Sequence, residues 1–299
     1  MKILVSGSHG LVGKALSKSL TKDGHELINL VRRDRVYGKP EIEWHPNKGV
    51  LDPDQIEGFD AVVHLAGESI ASGRWTDEKK LRIRESRVQG TTLLSQTLAR
   101  LSRPPTRFIS ASAIGYYGSR GDEVLTEESG AGSDFLAAVC TEWEKATEPA
   151  AEKGISTSTT RFGIILDKEG GALEKMLTPF RLGLGGKVGD GKQWMSWIAL
   201  EDVISALNFL LESDSISGPI NIVAPNPVTN AEFTETLGKV LSRPTFLSVP
   251  AFAARLAFGE MADGLLLSSA KVEPKKLKEE GFSFGFPNLE AALEAVLKD

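Results

Sequence analysis

Short apolar runs alternate with longer amphipathic stretches along the first half of the chain. KILVS (2–6) is a continuous apolar run, the pattern of a strand covered on both faces. In GLVGKALSKSLTKDG (10–24), Leu11, Ala15, Leu16, Ser19 and Leu20 fall on one helical face, and Gly24 supplies a stop. HELINLV (25–31), FDAVVHLAG (59–67), RFISAS (107–112) and STSTTRFGIIL (156–166) read as further strands. The segments 77–101 and 134–154 read as helices, the second ended by Gly154. The order β-α-β-β-α-β-α-β predicts an α/β fold, a Rossmann-type doubly wound parallel sheet with helices on both faces.

The pattern changes after residue 166. FRLGLGGKVGDGKQWMSW (180–197) is rich in glycine and aromatics and weak in periodicity. LEDVISALNFLLES (200–213) returns to helix, GPINIVAP (218–225) to strand, and NAEFTETLGKVLSR (230–243) to a helix that Asn230 is placed to cap. The expected organisation is a dinucleotide-binding domain over 1–166, with 198–225 contributing to it. A smaller substrate lobe then comprises 167–197 and 226–299.

Composition narrows the class. The 299 residues are 41% hydrophobic and 25% charged with a formal net charge of -5, an ordinary globular balance. An acidic chain argues against a nucleic-acid partner. Cys140 is the single cysteine, so no internal disulfide forms, which suits a reducing compartment. No apolar run approaches the ~20 residues of a bilayer span. The chain opens directly on a strand, with no signal-peptide pattern before it. The expectation is a soluble cytoplasmic protein with a small-molecule substrate, no nucleic-acid or membrane partner, and an open oligomeric state. His9, His25, His45 and His64 show no metal-ligand spacing, and C-x-x-C, H-E-x-x-H and G-x-S-x-G are missing, so no metal is expected.

The candidate chemistry begins in VSGSHGLVG (5–13), between the first strand and the first helix. Gly7 permits a tight turn, Gly10 lets backbone approach a pyrophosphate, and Gly13 lets the helix pack close to the sheet. The helix N-terminus then presents free N–H groups and its positive dipole end to phosphates. A glycine-rich turn without a ligand is the plainer reading, and the strand-loop-helix-strand context weighs against it. NAD binders carry an acid at the end of the second strand for the ribose 2′-OH. Here NLVRR ends in Arg32 and Arg33, two guanidinium groups suited to clamp a 2′-phosphate, which points to NADP(H). Solvated loop arginines, with a flavin or mononucleotide in the loop, remain the alternative.

SGSHGLVG, HLAG (64–67), SASAIGYYG (110–118), TRFGIIL (160–166) and WIALEDV (197–203) resemble the landmarks of extended short-chain dehydrogenases/reductases. LAGESIASGRW, SRVQGT, FRLGLGG, KVEPKKLKEEGFSFGFPNLEAAL and the Trp143-Glu144 pair resemble, more narrowly, the atypical "epimerase family protein" branch. The resemblance runs over essentially the whole chain, the last ~50 residues matching that branch's own C-terminal domain. It implies phosphates on Gly7, His9, Gly10, Leu11 and Val12, with His9 either a phosphate contact or a solvent-facing loop residue. It implies Arg32 and Arg33 at the 2′-phosphate and Leu65, Ala66 and Gly67 beside the adenosine. Arg82 and Arg87 match further cofactor contacts, and Arg161 and Phe162 lie towards the nicotinamide.

The superfamily's usual catalysts are Ser, Tyr and Lys, the last two in Y-x-x-x-K on one helix face. Aligned on Glu144, this helix carries Leu136 and Cys140 at those positions. Ser112 survives, either to bind a substrate carbonyl or to bond backbone. Tyr116 and Tyr117 follow in the next loop, where a displaced phenol could replace the missing one. Ser112, Tyr116 and Tyr117 are therefore the catalytic candidates. Glu68 stands at the edge of the expected pocket. Trp75, Trp194, Trp197, Phe180 and Arg181 either wall a substrate cleft or belong to the core. Two functions compete: an NADP(H)-dependent oxidoreductase or epimerase acting on a small, nucleotide-sugar-like substrate, and a catalytically silent NADP(H) sensor or scaffold.

Overall fold

The computed structural model describes residues 1–213 and 215–298. Its main sheet comprises β1 (Lys2–Ser6), β2 (Glu26–Val31), β3 (Glu41–Glu43), β4 (Ala61–His64), β5 (Arg107–Ala113), β6 (Ser156–Phe162) and β7 (Gly218–Ile222). The strands run β3-β2-β1-β4-β5-β6-β7, each neighbour parallel. The strand order reverses between β1 and β4, the switch point at which doubly wound sheets open a crevice. Among the described residues the α-helices are α1 (Leu11–Lys22), α2 (Asp77–Arg100), α3 (Phe135–Lys145), α4 (Glu148–Glu152), α5 (Gly171–Arg181), α6 (Leu200–Glu212), α7 (Asn230–Leu241), α8 (Ala251–Phe258), α9 (Lys275–Glu279) and α10 (Leu289–Leu297).

Strand side chains alternate between faces, so β1 feeds two cores. Ile3 and Val5 pack with Leu16 and Leu20 of α1 and with Val203, Leu207 and Leu210 of α6. Leu4 packs on the opposite face with Leu94 and Leu98 of α2 and with Trp44. A third core joins Leu173 and Leu177 of α5, Trp197, Phe233 and Leu237 of α7, and Leu293 of α10. That core contains Trp197 and Phe180, and Trp75 is likewise buried, in a separate cluster with Ile83 of α2, Val139 of α3 and Met261.

Three local expectations are corrected. The helix expected over 134–154 is two helices, because Pro149 stands at the start of α4. Its ring denies the preceding turn a hydrogen bond and crowds the carbonyl four residues back. The strand expected over 156–166 leaves the sheet at Gly163. A Cβ there would lie 2.6 Å from the Ser196 carbonyl oxygen. The chain crosses at that close approach, and Ile164–Leu166 pairs instead with Trp197–Ala199. Thr229, not Asn230, caps α7, in a reciprocal box with Glu232. The Asn230 amide oxygen instead accepts the Val188 N–H at 2.8 Å.

At the first turn, the Gly7 backbone lies at φ +74°, and a Cβ there would sit 2.7 Å from the Leu65 carbonyl group. A Cβ on Gly13 would sit 2.2 Å from the Gly7 carbonyl oxygen, whereas one on Gly10 would meet only that oxygen, at 3.4 Å. Gly7 and Gly13 therefore let α1 seat on β1 and β4, and Gly10 faces open space. Gly13→Ala should lower the unfolding free energy by about 3 kcal/mol, the upper range for overpacking. A urea titration checks this, and an unchanged midpoint would show that α1 can back away from the loop.

Candidate functional site

The glycine loop sits at the switch point, with the Gly10 N–H bonded to the Gly7 carbonyl at 3.0 Å. Gly10 caps α1 without any side-chain hydrogen bond. The first amides of α1, from Leu11 and Val12, therefore lack both intrahelical and capping partners. His9 is exposed, its Nδ1 3.5 Å from the Ser8 hydroxyl. A positive-φ turn, a close helix approach and a run of free amides form a cradle that fits a pyrophosphate.

The two arginines after β2 part company. Arg33 forks onto Glu41 with contacts of 2.7 and 3.1 Å. Arg32 is exposed and makes no hydrogen bond or ion pair among the described residues. The loop after β2 decides this by folding back over Glu41, whose carboxylate also accepts the Val36 N–H at 2.9 Å. Leu65, Ala66 and Gly67 leave the end of β4 directly over Gly7. Arg87 lies under Gly67 and over the Trp143 ring, 5.0 Å from its centroid, and donates to the Ile83 carbonyl. Burial lowers its guanidinium pKa. Arg82 pairs with Glu78 on the exposed face of α2. Beyond Gly67 the chain is held to α5 and α8, where Lys175 donates to the Ala71 carbonyl at 2.7 Å and Arg74 to that of Ala257 at 3.2 Å.

A buried polar chain fills the ends of β5 and β6. Ser112, 2% exposed, donates its hydroxyl to Glu144 at 2.7 Å. Glu144 also receives Arg161 bidentately at 2.7 and 2.8 Å. Arg161 reaches the Tyr117 hydroxyl at 2.9 Å, and that hydroxyl donates to Asn221 at 2.7 Å. Burial alone would push the Arg161 pKa down, but the bonds and charge of Glu144 outweigh it and raise it above the usual arginine value. Tyr117 is fully buried, and burial pushes its phenol up to about 12. Phe162 packs against the core shared with α1 and α6. Tyr116 stacks on the Arg161 guanidinium, 3.5 Å from ring centroid to Cζ, and its phenol has no hydrogen bond among the described residues. It faces a groove of about 720 Å³ lined by Glu144, Lys145, Thr159 and Pro219, and no residue of the glycine loop lines that groove. Cys140 is buried on α3, and burial with the Glu144 charge pushes its thiol up to about 12. With Leu136, it packs beside Gly115.

Sequence reading overlooked His64. Its ring bonds the Ser6 hydroxyl at 2.6 Å and the Thr91 hydroxyl at 3.0 Å, and Thr91 also receives the Trp143 indole N–H at 2.9 Å. Ser6 accepts the Leu65 N–H at 3.2 Å, so this relay props the turn over Gly7. The only signal in the sequence was a histidine in an apolar run. In the sequence, Glu144 marks the helix register and, with Trp143, the family resemblance, without a site role. Among the described residues, no group of His, Cys, Asp and Glu could hold a metal ion, and no helix is long and apolar enough to cross a membrane.

With this geometry in place, comparison with known proteins assigns the class. Residues 3–223 match the model of the NAD dependent epimerase/dehydratase family, and residues 249–296 match a domain of unknown function, DUF1731. The chain belongs to the NAD dependent epimerase/dehydratase family, a family of nicotinamide-dinucleotide binders. Within it, the chain falls in the atypical short-chain dehydrogenase branch of "epimerase family proteins". It is 41% identical over 291 residues to epimerase family protein Mb2239 of Mycobacterium bovis, covering 97% of this chain and 96% of that one. The crystal structure of human epimerase family protein SDR39U1 with NADPH superposes with a TM-score of 0.90 at 33% identity, covering 99% of both chains. A nucleoside-diphosphate sugar epimerase from Corynebacterium glutamicum superposes with a TM-score of 0.82 at 40% identity, over 99% of this chain and 58% of that one.

The relay carries a pH dependence. Burial pushes the His64 imidazole down to about 4 from 6.5, so the folded chain holds it neutral while the unfolded chain takes up a proton. That contribution is complete above pH 6.5 and is lost as pH falls towards 4, amounting to about 3 kcal/mol. Urea titrations at pH 7 and pH 4 should differ by that much more in the wild type than in His64→Gln. An equal pH 7 to pH 4 difference in the two proteins would exclude His64 as the source.

Proposed function

We propose that this chain binds NADP(H) across the switch point and serves as an oxidoreductase or epimerase for a small, nucleotide-sugar-like substrate. The observation that carries the cofactor choice is Arg32, a guanidinium without a partner among the described residues, where an NAD binder places a carboxylate. The human relative solved with NADPH supports the same choice. Gly7, Gly10 and the amides of Leu11 and Val12 hold the pyrophosphate, with His9 at its rim. Leu65, Ala66 and Gly67 flank the adenosine, and Arg87 braces that turn from beneath. Arg33 acts through Glu41, holding the end of β2 in shape beside Arg32. The substrate lies against the lobe formed by 167–197 and 226–299. The buried free thiol of Cys140 suits a reducing compartment, and we place the protein in the cytoplasm.

The nicotinamide, when bound, supplies hydride transfer. Ser112 and Tyr117 then work as positioning residues, because both hydroxyls are engaged in the Glu144–Arg161 network. Tyr116, with its phenol free of protein partners, is the proton donor this reading requires. A second reading has its own observation. Tyr116 faces a groove that the glycine loop does not line, and Leu136 and Cys140 occupy the usual Tyr and Lys positions. On that reading the chain binds NADP(H) and reports it to a partner without turnover.

Calorimetric titration tests the cofactor assignment. NADPH should bind more tightly than NADH, and Arg32→Ala should weaken NADPH by about 10- to 100-fold, the worth of a charge-assisted phosphate contact, with NADH unchanged. Equal affinity for the two cofactors overturns it. A nicotinamide-absorbance screen over nucleotide sugars and small carbonyl compounds then separates the two readings. The enzyme reading expects turnover that Tyr116→Phe lowers by about 100-fold or more, within the range of general acid-base catalysis, while NADPH still binds. Undiminished turnover in Tyr116→Phe removes that residue from the chemistry.

A further inference from the structure

A ring of contacts closes around the start of α1. On one side Leu65 and Ala66 pass so near Gly7 that a Cβ there would lie 2.7 Å from the Leu65 carbonyl group. On the other side α5 begins against α1, where a Cβ on Gly170 would lie 3.2 Å from the Leu11 side chain. Lys175 of α5 then donates to the Ala71 carbonyl at 2.7 Å. The ring runs from Gly7 to Leu65, along the chain to Ala71, across to Lys175, back down α5 to Gly170, and over Leu11 to Gly7. The helix carries the ammonium about 6 Å along its axis from Gly171. The Leu11 amide belongs to the ring itself and that of Val12 follows it, both without an intrahelical or side-chain capping partner.

The segment from Glu68 to Trp75 is fixed from outside this ring. Lys79, its side chain only 5% exposed, donates to Glu68 at 2.6 Å and to the Ser72 hydroxyl at 2.8 Å. The Glu68 N–H donates to the Ser86 hydroxyl at 3.1 Å. Trp75 is buried and donates its indole N–H to the Ile70 carbonyl at 2.8 Å, and Arg74 reaches the Ala257 carbonyl. These bonds tie the segment to α2 and α8, and none of them crosses to α5. Lys175 is the opposite case. It is exposed, and beyond Ala71 it has no hydrogen bond or ion pair among the described residues. Its flexible stem lets the ammonium swing away while both walls stay in place. An exposed hydrogen bond of this kind favours the closed form over the open one by about 3- to 10-fold.

We infer that Lys175 is the gate of the dinucleotide site: its bond to Ala71 closes the ring over the bound pyrophosphate, and the cofactor enters and leaves only while that bond is broken. The inference rests on the cofactor reading above. A dinucleotide at a switch point lies across the crevice with a nucleoside on either side of its pyrophosphate. With the pyrophosphate on the amides of α1, it threads the ring, and each nucleoside is bulkier than the phosphates between them. Neither end slides through while the bridge is closed. The bridge slows arrival and departure alike, so it governs exchange and leaves affinity nearly unchanged.

The test is stopped-flow mixing of the full chain with NADPH, followed by nicotinamide fluorescence. Lys175→Met should raise the association and dissociation rates together, each by about 3- to 10-fold, with the dissociation constant held within about twofold. Lys175→Arg, which keeps a charged donor, should exchange at about the wild-type rate. Unchanged rates in Lys175→Met overturn the inference. Slower association with faster dissociation also overturns it, because Lys175 would then be a phosphate ligand and not a gate. A covalent closure supplies the converse. Ala71→Cys combined with Lys175→Cys, bridged by a bifunctional maleimide, should not load NADPH added after bridging and should retain NADPH bound before it. Cys140 is buried and does not compete for the reagent. Loading of the bridged chain at the rate of the unbridged one overturns the inference. If the wild type binds neither NADPH nor NADH, the cofactor reading falls and this inference with it. If it binds NADPH and exchange ignores both changes, only this inference falls.

Discussion

The Glu144–Arg161 ion pair is the interaction on which the C-terminal end of the sheet depends. Arg161 belongs to β6, Glu144 to α3, and the hydroxyls that complete the pair come from the end of β5 and the turn after it. Removing these two charges from water is expensive, and attraction offsets the cost only when geometry is good and the remaining lone pairs are satisfied. Here the fork is bidentate, Ser112 fills one more site on the carboxylate, and Tyr117 takes the remaining arm of the guanidinium. Tyr117 passes the constraint to Asn221 on β7, whose amide donates to the Glu273 carbonyl at 2.9 Å. One pair thus ties three strands and α3 to the C-terminal segment. The hydrogen bond to Glu144 gives Ser112 a structural role independent of chemistry.

At the other end of the crevice the constraint is steric. The glycines matter there for what they exclude, since a side chain on Gly7 or Gly13 would strike backbone. The same exclusion brings Leu65 down over the loop, where the Ser6–His64–Thr91–Trp143 relay holds it from below. A neutral imidazole suits this place. It accepts from one hydroxyl and donates to the other, and it carries no charge to compete with a phosphate cradle above it.

Much of this was legible in the sequence wherever one periodicity dominated. β1, α1, β2 and α2 fall within a residue or two of their expected bounds, because apolar runs and helical faces there meet no local conflict. Legibility failed where a single residue overrode a pattern, at Pro149 and at Gly163. It failed again where tertiary pairing chose between neighbours. Arg32 and Arg33 look equivalent in NLVRR, and only the folding of the following loop onto Glu41, at the start of a strand too brief to announce itself, makes them different. Lys79 is invisible for a related reason. DEKKLRIRESR reads as a solvated charged helix face, yet one of its lysines points inward because the segment after Gly67 folds back on α2 to meet it. The glycine-rich stretch of 180–197 lacked periodicity because its residues are apportioned among short strands and turns that pair with distant segments, as Gly186–Val188 does with Leu247–Val249.

The two ends of the crevice differ most in how their charges are engaged. At β5 and β6 each strongly perturbed group is already answered: Arg161 by Glu144, Tyr117 by Asn221, and Cys140 by its own proton, since a thiol near 12 stays neutral at physiological pH. At the end of β2 the Arg32 guanidinium makes no hydrogen bond or ion pair among the described residues. On the proposed reading, the groups that attract an anionic ligand are therefore separate from the engaged network at β5 and β6. A reaction here would need its proton from a group outside α3, and that requirement is what singles out Tyr116, the one phenol of the Tyr116–Tyr117 pair that its surroundings leave free.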